Sequence, residues 1–189
     1  MKLNPSNDQF IARLSQTLPE RVLCPALPKY LEEPRKRWAG QRSWLARPET
    51  THEVSLLIKA AAEAKVPILP YGGGTGLVGG QIMPDGPTPL ILSLERMNKI
   101  RGVFPSENVL IAEAGTILSA IQKSAGVVDR LFPLSLASEG SAQIGGILST
   151  NAGGINVLRY GNARDLCIGL EAVLPDGKVW HGLSRLRKD

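Results

Sequence analysis

Apolar residues at Val54, Leu57, Ile58, Ala61 and Ala62 repeat with the spacing of one helix face, behind Thr50 and with Glu53 three residues on. This predicts a capped amphipathic helix, the most strongly patterned element of the chain. Ser6 and Gln9 form a second capping-box pattern ahead of Phe10, Ile11, Leu14 and Leu18, which predicts a short helix over 7–18 that stops at Pro19. Residues 19–42 hold four prolines and the run Arg35-Lys36-Arg37, offset by Glu32 and Glu33, and predict an irregular connection with a solvated basic edge. Short apolar runs predict strands at 43–47, 66–69, 90–94 and 109–114. Thr116 is the predicted cap of a helix through Ile117, Leu118 and Ile121 to Ala125, and 168–174, Pro175-Asp176-Gly177 and 178–180 predict a hairpin. Between them, 133–163 is a long glycine- and serine-rich covering segment. The pattern is a βαβ-loop-β unit followed by a second unit from about residue 107.

At 189 residues with 43% hydrophobic content, the chain has the size of one ordinary domain, able to bury roughly 70% of its unfolded surface. That excludes a disordered tail. No apolar run reaches the ~18 residues of a membrane-spanning helix, and the start Met1-Lys2-Leu3-Asn4-Pro5 lacks a secretory stretch, so the expected compartment is cytoplasmic. Cys24 and Cys167 lie far apart and predict two reduced thiols. The net charge of +5 suits an anionic partner without naming one. Nucleic acid is disfavoured, because aromatic stacking platforms and a groove-reading helix are not recognisable.

Glycine placement says more than charge. Six glycines fall between Gly72 and Gly80 and five between Gly140 and Gly154. Gly74-Thr75-Gly76-Leu77-Val78-Gly79 satisfies G-x-G-x-x-G after a strand, with Glu95 at the end of the next one. The helix that a dinucleotide fingerprint requires is excluded by Pro-Asp-Gly-Pro-Thr-Pro at 84–89, and Gly80-Gln81 stands where a Walker loop carries Lys-Ser or Lys-Thr. A helix-free nest of successive N–H groups at Gly72-Gly73-Gly74-Thr75-Gly76 can still hold a diphosphate. The second cluster, from Ser138 to Gly146 and Thr150 to Gly154, alternates small residues with hydroxyls and amides, which suits a flat polar ligand or a packed loop equally well.

In order along the chain, Pro70 to Gly80, Leu94 to Ile100, Glu113-Ala114-Gly115, Phe132 to Gly146, Ser149 to Gly154, Arg159 to Asn162 and Gly169 to Gly177 resemble the PCMH-type FAD-binding domain of the vanillyl-alcohol oxidase superfamily. Within it the likeness is to D-2-hydroxy-acid dehydrogenases of the D-lactate dehydrogenase and glycolate oxidase type. The resemblance implies an α+β fold of two α/β subdomains, about 40–105 and 106–189, with the cofactor between them, behind a lead-in and linker at 1–39. It implies noncovalent FAD, with the pyrophosphate on Gly72, Gly73, Gly74, Thr75, Gly76 and Leu77. The flavin and ribityl chain would lie along Pro133, Ser138, Gly140, Ser141, Gly145, Gly146, Thr150, Asn151, Gly153 and Gly154.

His52 and His181 lie outside both clusters, so a histidyl flavin link is not expected. Ile147 stands where relatives carry a small or amide residue, which puts one cofactor contact in doubt. Relatives of this type continue with a last part of the FAD domain and a substrate cap, whereas Arg185-Leu186-Arg187-Lys188-Asp189 has no cap or apolar anchor. The expectation is therefore a C-terminally incomplete fold without catalytic residues of its own and without a metal site. It would serve a small 2-hydroxy acid in the full-length protein, with room for a peripheral membrane or electron-acceptor partner and for self-association through an open sheet edge. The alternative is a flavin-free interaction or anion-binding module of the same fold.

Overall fold

The computed structural model describes residues 2–185. Its main sheet takes β1 (Leu23–Pro25), β2 (Trp44–Ala46), β3 (Ile68–Tyr71) and β4 (Leu90–Ser93) in the order β1-β2-β4-β3. β4 runs parallel to both neighbours, with Leu90 opposite Trp44 on one side and Ile68 on the other. All four of its residues are buried, which explains a sequence that is apolar without alternation. β1 adds antiparallel to β2, so residues read as a connection supply an edge strand.

Alternate residues of β4 face two cores. On one side Leu90 and Leu92 pack with Phe10, Leu14 and Leu18 of the N-terminal segment and with Val54, Leu57 and Ala61 of α2 (Thr51–Ala64). On the other, Ile91 packs with Tyr30, Leu45 and Tyr71. α2 starts as its sequence predicts, with Thr50 accepting from the Glu53 N–H at 3.1 Å. The Glu53 carboxylate does not close the box on Thr50. It accepts instead from the Glu49 N–H and from Arg21, both at 2.7 Å.

The first helix is shorter than its stripe. α1 (Asp8–Leu14) is capped by Asn7, whose side chain accepts from the Phe10 N–H, while the Ser6 hydroxyl donates to the Pro89 carbonyl at 2.8 Å and ties the segment to the entry of β4. The Ser15 and Thr17 hydroxyls turn back onto the Ile11 and Leu14 carbonyls just beyond the helix end.

The second half opens with the antiparallel ribbon β5 (Ile100–Phe104) and β6 (Val109–Ala112), bulged between Ile100 and Gly102. Thr116 does not cap the following helix: it is buried with its hydroxyl toward the Lys99 carbonyl, and α3 (Leu118–Gly126) is entered from Ile117, which bridges to Gln143. The segment read as a covering loop contains α4 (Ile144–Ser149) and the single turn α5 (Val157–Tyr160). Leu118, Leu134, Ala142, Ile147 and Ala163 form its core.

The predicted hairpin is present as β7 (Leu170–Val173) and β8 (Val179–Gly182), with Gly177 at φ +83 in the turn. It lies across α2, where Thr51 Oγ1 donates to Glu171 Oε1 at 2.7 Å and the Ser55 hydroxyl donates to the Gly177 carbonyl. The architecture is thus the mixed α+β type expected. The chain end at 186–189, from which an unfinished fold was expected, lies outside the described residues. Among the described residues, no helix is long and apolar enough to cross a membrane.

Candidate functional site

β3 ends at Tyr71 and delivers the chain into the first glycine cluster. Gly74 has φ +70, a conformation that side chains rarely adopt, and a Cβ there would strike the Tyr71 hydroxyl. Gly73 approaches the second cluster so closely that a Cβ would overlap the Ser141 carbonyl. Backbone therefore meets backbone where the two glycine-rich regions converge. Between them is a cleft of about 530 Å³ whose walls include Gly72, Gly73 and Gly74 on one side and Gly140, Ser141 and Gln143 on the other.

The loop's hydrogen bonds are unusual. From Gly73 to Val78 the chain belongs to no helix or strand, and none of its peptide N–H groups donates to another group among the described residues. The loop is held through other atoms: Gln81 Nε2 donates to the Gly76 carbonyl at 2.9 Å, and the Trp38 ring fills the space over Gly79. Consecutive donors without protein acceptors, at half-buried positions from Gly73 to Thr75, are what an oxyanion needs. The half-buried N–H groups of Gly73 and Gly74, which border the cleft, are left free for a ligand's acceptors.

The cleft floor is a polar relay from the second core. Tyr30 donates to Glu95 Oε2 at 2.7 Å, Arg47 Nη1 lies 3.3 Å from Glu95 Oε1, and the Tyr71 hydroxyl donates to the Lys29 carbonyl at 2.7 Å. Burial, followed by the Glu95 carboxylate, pushes the Tyr30 phenol far above its ordinary value; burial raises Tyr71 as well. Both stay neutral donors at any physiological pH. Their rings meet edge to face at 5.0 Å and brace the start of the glycine loop.

The sequence-predicted residues divide sharply. Gly72, Gly73, Gly74, Gly140 and Ser141 border the cleft. Gly146 lies beside Gly72, with open space where its Cβ would stand. Thr75, Gly76 and Leu77 continue the loop, Thr75 half-buried and the other two exposed. The rest have local partners. Pro133 is buried and its carbonyl accepts from Asn156 Nδ2, and the Ser138 carbonyl accepts from the Ser141 and Ala142 N–H groups. Gly145 is packed on Ala114, 2.9 Å from where its Cβ would sit, and donates its N–H to the Ala114 carbonyl. Thr150 bonds back to the Gly146 carbonyl, Asn151 accepts from the Arg164 N–H, Gly153 abuts Val157 and Asn162, and Gly154, at φ +117, closes onto the Ser135 carbonyl. Ile147 is buried in the second-half core, so its bulk serves packing.

Several cleft residues escaped the sequence reading, among them Lys29, Tyr30, Lys36 and Ile117, while Gln143 fell inside the second cluster without being singled out. Pro28-Lys29-Tyr30 and the basic run sit in a proline-rich stretch with no periodicity, where only the buried aromatic could have signalled a packed wall. His52 is exposed on α2, and His181 is exposed on β8 beside Glu171 at 3.5 Å; neither borders the cleft. Among the described residues no group of His, Cys, Asp and Glu is arranged to hold a metal ion. The donor set fits a flavin dinucleotide: side-chain-free backbone at the convergence, unpartnered amides on one wall, and neutral phenols below.

Comparison with known proteins agrees with this chemistry. A family model for the FAD binding domain matches residues 43–182. The chain is 38% identical over 191 aligned residues to a mitochondrial D-2-hydroxyglutarate dehydrogenase of Bos taurus, covering 97% of this chain and 34% of that protein. It is 37% identical to a D-2-hydroxyglutarate dehydrogenase of Xanthomonas citri pv. viticola, over 91% of this chain and 37% of the relative. A putative mitochondrial D-lactate dehydrogenase of Schizosaccharomyces pombe is 37% identical over 81% of this chain and 29% of its own length. The chain thus spans about a third of the curated relatives it matches.

Among solved structures, an alkyldihydroxyacetonephosphate synthase superposes with a TM-score of 0.82 at 20% identity, over 96% of this chain and 35% of that one. The glucose dehydrogenase Phl p 4.0202 gives 0.79 at 17%, over 92% and 37%. These two share the fold. The cytoplasmic expectation does not stand, because several of the sequence relatives are named as mitochondrial enzymes. It rested on the lack of an apolar leader, and mitochondrial transit segments are amphipathic rather than continuously apolar. By its matched residues, its fold and its helix-free glycine cleft, the chain belongs to the FAD binding domain family, and its cofactor is FAD.

Proposed function

We propose that this chain holds FAD noncovalently between the Gly72–Leu77 loop and the 133–154 segment, as the cofactor-binding portion of a flavin-dependent dehydrogenase of D-2-hydroxy acids. The observation that carries this reading is the run of N–H groups without protein acceptors from Gly73 to Val78, which enters the cleft at Gly73 and Gly74. Diphosphate oxygens are anionic acceptors of the kind that consecutive backbone N–H groups can hold. The flavin and ribityl chain would lie along the second wall, approached through Gly140, Ser141 and Gly146. Within this reading the units 40–105 and 106–189 are the two subdomains flanking the cofactor. Neither histidine borders the cleft, which supports noncovalent retention.

Bound FAD supplies the hydride acceptor. The chain's own residues bind and orient it, and their carboxylates are already engaged: Glu95 by Tyr30 and Arg47, Glu113 by Arg101 at 3.2 Å, and Glu139 by Gln122 at 3.4 Å. Cofactor holding, rather than turnover, is therefore what these residues are assigned. The substrate class follows the relatives named for D-2-hydroxyglutarate and D-lactate, and glycolate is the smallest member of the same chemical class. The test is titration of the flavin-free chain with FAD, FMN and riboflavin, followed by flavin fluorescence. Affinity in the order FAD, FMN, riboflavin, with all flavin released on heating, is expected. Equal affinity for the three, or binding of none, overturns the reading.

A further inference from the structure

Residues 28–40 do not behave as the linker their prolines suggest. Glu32 and Ala39 pair as an antiparallel bridge, and the Gly40 N–H donates to the Leu31 carbonyl at 2.6 Å, closing the segment into a strap. Its centre is organised by one buried carboxylate. Glu33 accepts from the N–H groups of Arg35, at 2.8 Å, and Arg37. Burial works against the charged form, but donors from Arg37, Arg35 and Trp38 outweigh it and hold the Glu33 carboxyl below its ordinary value. Around that anchor Lys36 takes φ +54 and lines the cleft, together with Lys29.

The strap is braced on the glycine loop from two directions. The Tyr71 hydroxyl donates to the Lys29 carbonyl, and the Trp38 ring covers Gly79, where a Cβ would come within 2.7 Å of it. Lys29 Nζ rests 4.6 Å above the Tyr30 ring. The cleft's carboxylates are largely spoken for: Glu33 by backbone N–H groups, Glu95 by Tyr30 and Arg47. Lys29 and Lys36 take part in no ion pair among the described residues. Two cations without a carboxylate partner thus line the same cleft as the loop whose amides lack acceptors.

Resting on the FAD reading above, we infer that the Glu33-organised strap is part of the cofactor site, with Lys29 and Lys36 supplying the counter-charge to the diphosphate and Glu33 acting as the positioning residue. The backbone nest supplies directional donors, and the lysines supply the monopole that the nest lacks. Glu32, on the same rim with the opposite sign, works against them.

The test uses the flavin-free 189-residue chain titrated with FAD and with riboflavin, which has no phosphate, at low and at physiological salt. Lys29→Ala with Lys36→Ala is expected to weaken FAD about three- to tenfold at low salt, in keeping with exposed charge pairs. It is also expected to flatten the salt dependence and leave riboflavin unchanged. Lys29→Arg with Lys36→Arg restores FAD affinity, Glu32→Gln tightens it, and Glu33→Ala loses it with both lysines present. Thermal melting of the flavin-free double-alanine chain should stay close to wild type, since both side chains are exposed and only the Lys29 contact with the Tyr30 ring is lost. Wild-type affinity and salt slope in the double-alanine chain overturn the strap's role while the cleft reading survives. Failure of the wild-type chain to bind FAD at all overturns both.

Discussion

The two glycine-rich regions resemble each other in composition and differ in what their backbones do. In Gly72–Gly80 the amides from Gly73 to Val78 have no acceptor among the described residues. In 140–154 most peptide groups are engaged: Ser141 and Ala142 donate to Ser138, Ile144 to Thr116, Gly145 to Ala114, Thr150 to Gly146 and Ala152 to Ile147. In the first region Gly73, Gly74 and Gly79 are also required by close packing on Ser141, Tyr71 and Trp38, but the N–H groups are left without protein acceptors. The second is glycine-rich mainly because its own chain must pass close to Ala114 and Ser135. Glycine density alone does not separate the two regions, whereas the fate of each N–H group does.

Substitutions that add a single methyl group put this contrast at risk. The largest effect is expected from Gly73→Ala, whose Cβ overlaps a backbone carbonyl that cannot rotate away. It should cost about 1–3 kcal/mol of stability, as overpacking does, and abolish tight FAD binding by separating the two walls; calorimetric titration and thermal melting read both. Gly154→Ala should destabilise by about as much, through its positive φ and the Ser135 carbonyl, yet leave the FAD affinity of folded molecules intact. Loss of affinity there would show that the Thr150–Gly154 end of the second cluster also faces the ligand.

A milder effect is expected from acid. Burial raises the Glu53 carboxyl, but the Glu49 N–H and Arg21 outweigh it and lower it below its ordinary value. Its contribution is therefore present above the unfolded carboxylate pKa and is lost as pH falls through the depressed folded value. Glu53→Gln should lower neutral-pH stability and make the acid limb of a pH-dependent urea titration shallower; an unchanged limb refutes the assignment. The smallest structural effect belongs to Gly146→Ala, with open space at its Cβ. Stability should stay within about 0.5 kcal/mol, while FAD affinity falls if the flavin passes that face, as proposed.

Legibility in the sequence followed the reach of the forces involved. α2, β4 and the β7–β8 hairpin were readable because their signals are local: a cap and a 3.6-residue stripe, a continuous apolar run, and Pro-Asp-Gly in the turn. β5 was not, since Ile100-Arg101-Gly102 puts a glycine and a bulge inside the strand. α4 carries two glycines in six residues and is held by docking, with the Ile144 and Gly145 N–H groups donating to Thr116 and Ala114. At Ser6 the tertiary bond to Pro89 won over the local cap. The glycine loop was legible as a helix-free, glycine-rich turn after a strand because that signal is written in consecutive residues. The strap that lines the cleft was not, because one carboxylate, Glu33, organises it through side-chain-to-backbone bonds that leave no periodic trace.

The β7–β8 hairpin imposes an order of events on biosynthesis. Thr51 and Ser55 must wait for partners 120 and 122 positions downstream. At a ribosomal pace of about 5–20 residues per second, that delay lasts roughly 6–24 s. For that interval the outer side of α2, which carries the polar Thr51, Ser55 and Lys59, stands open to water without its eventual cover.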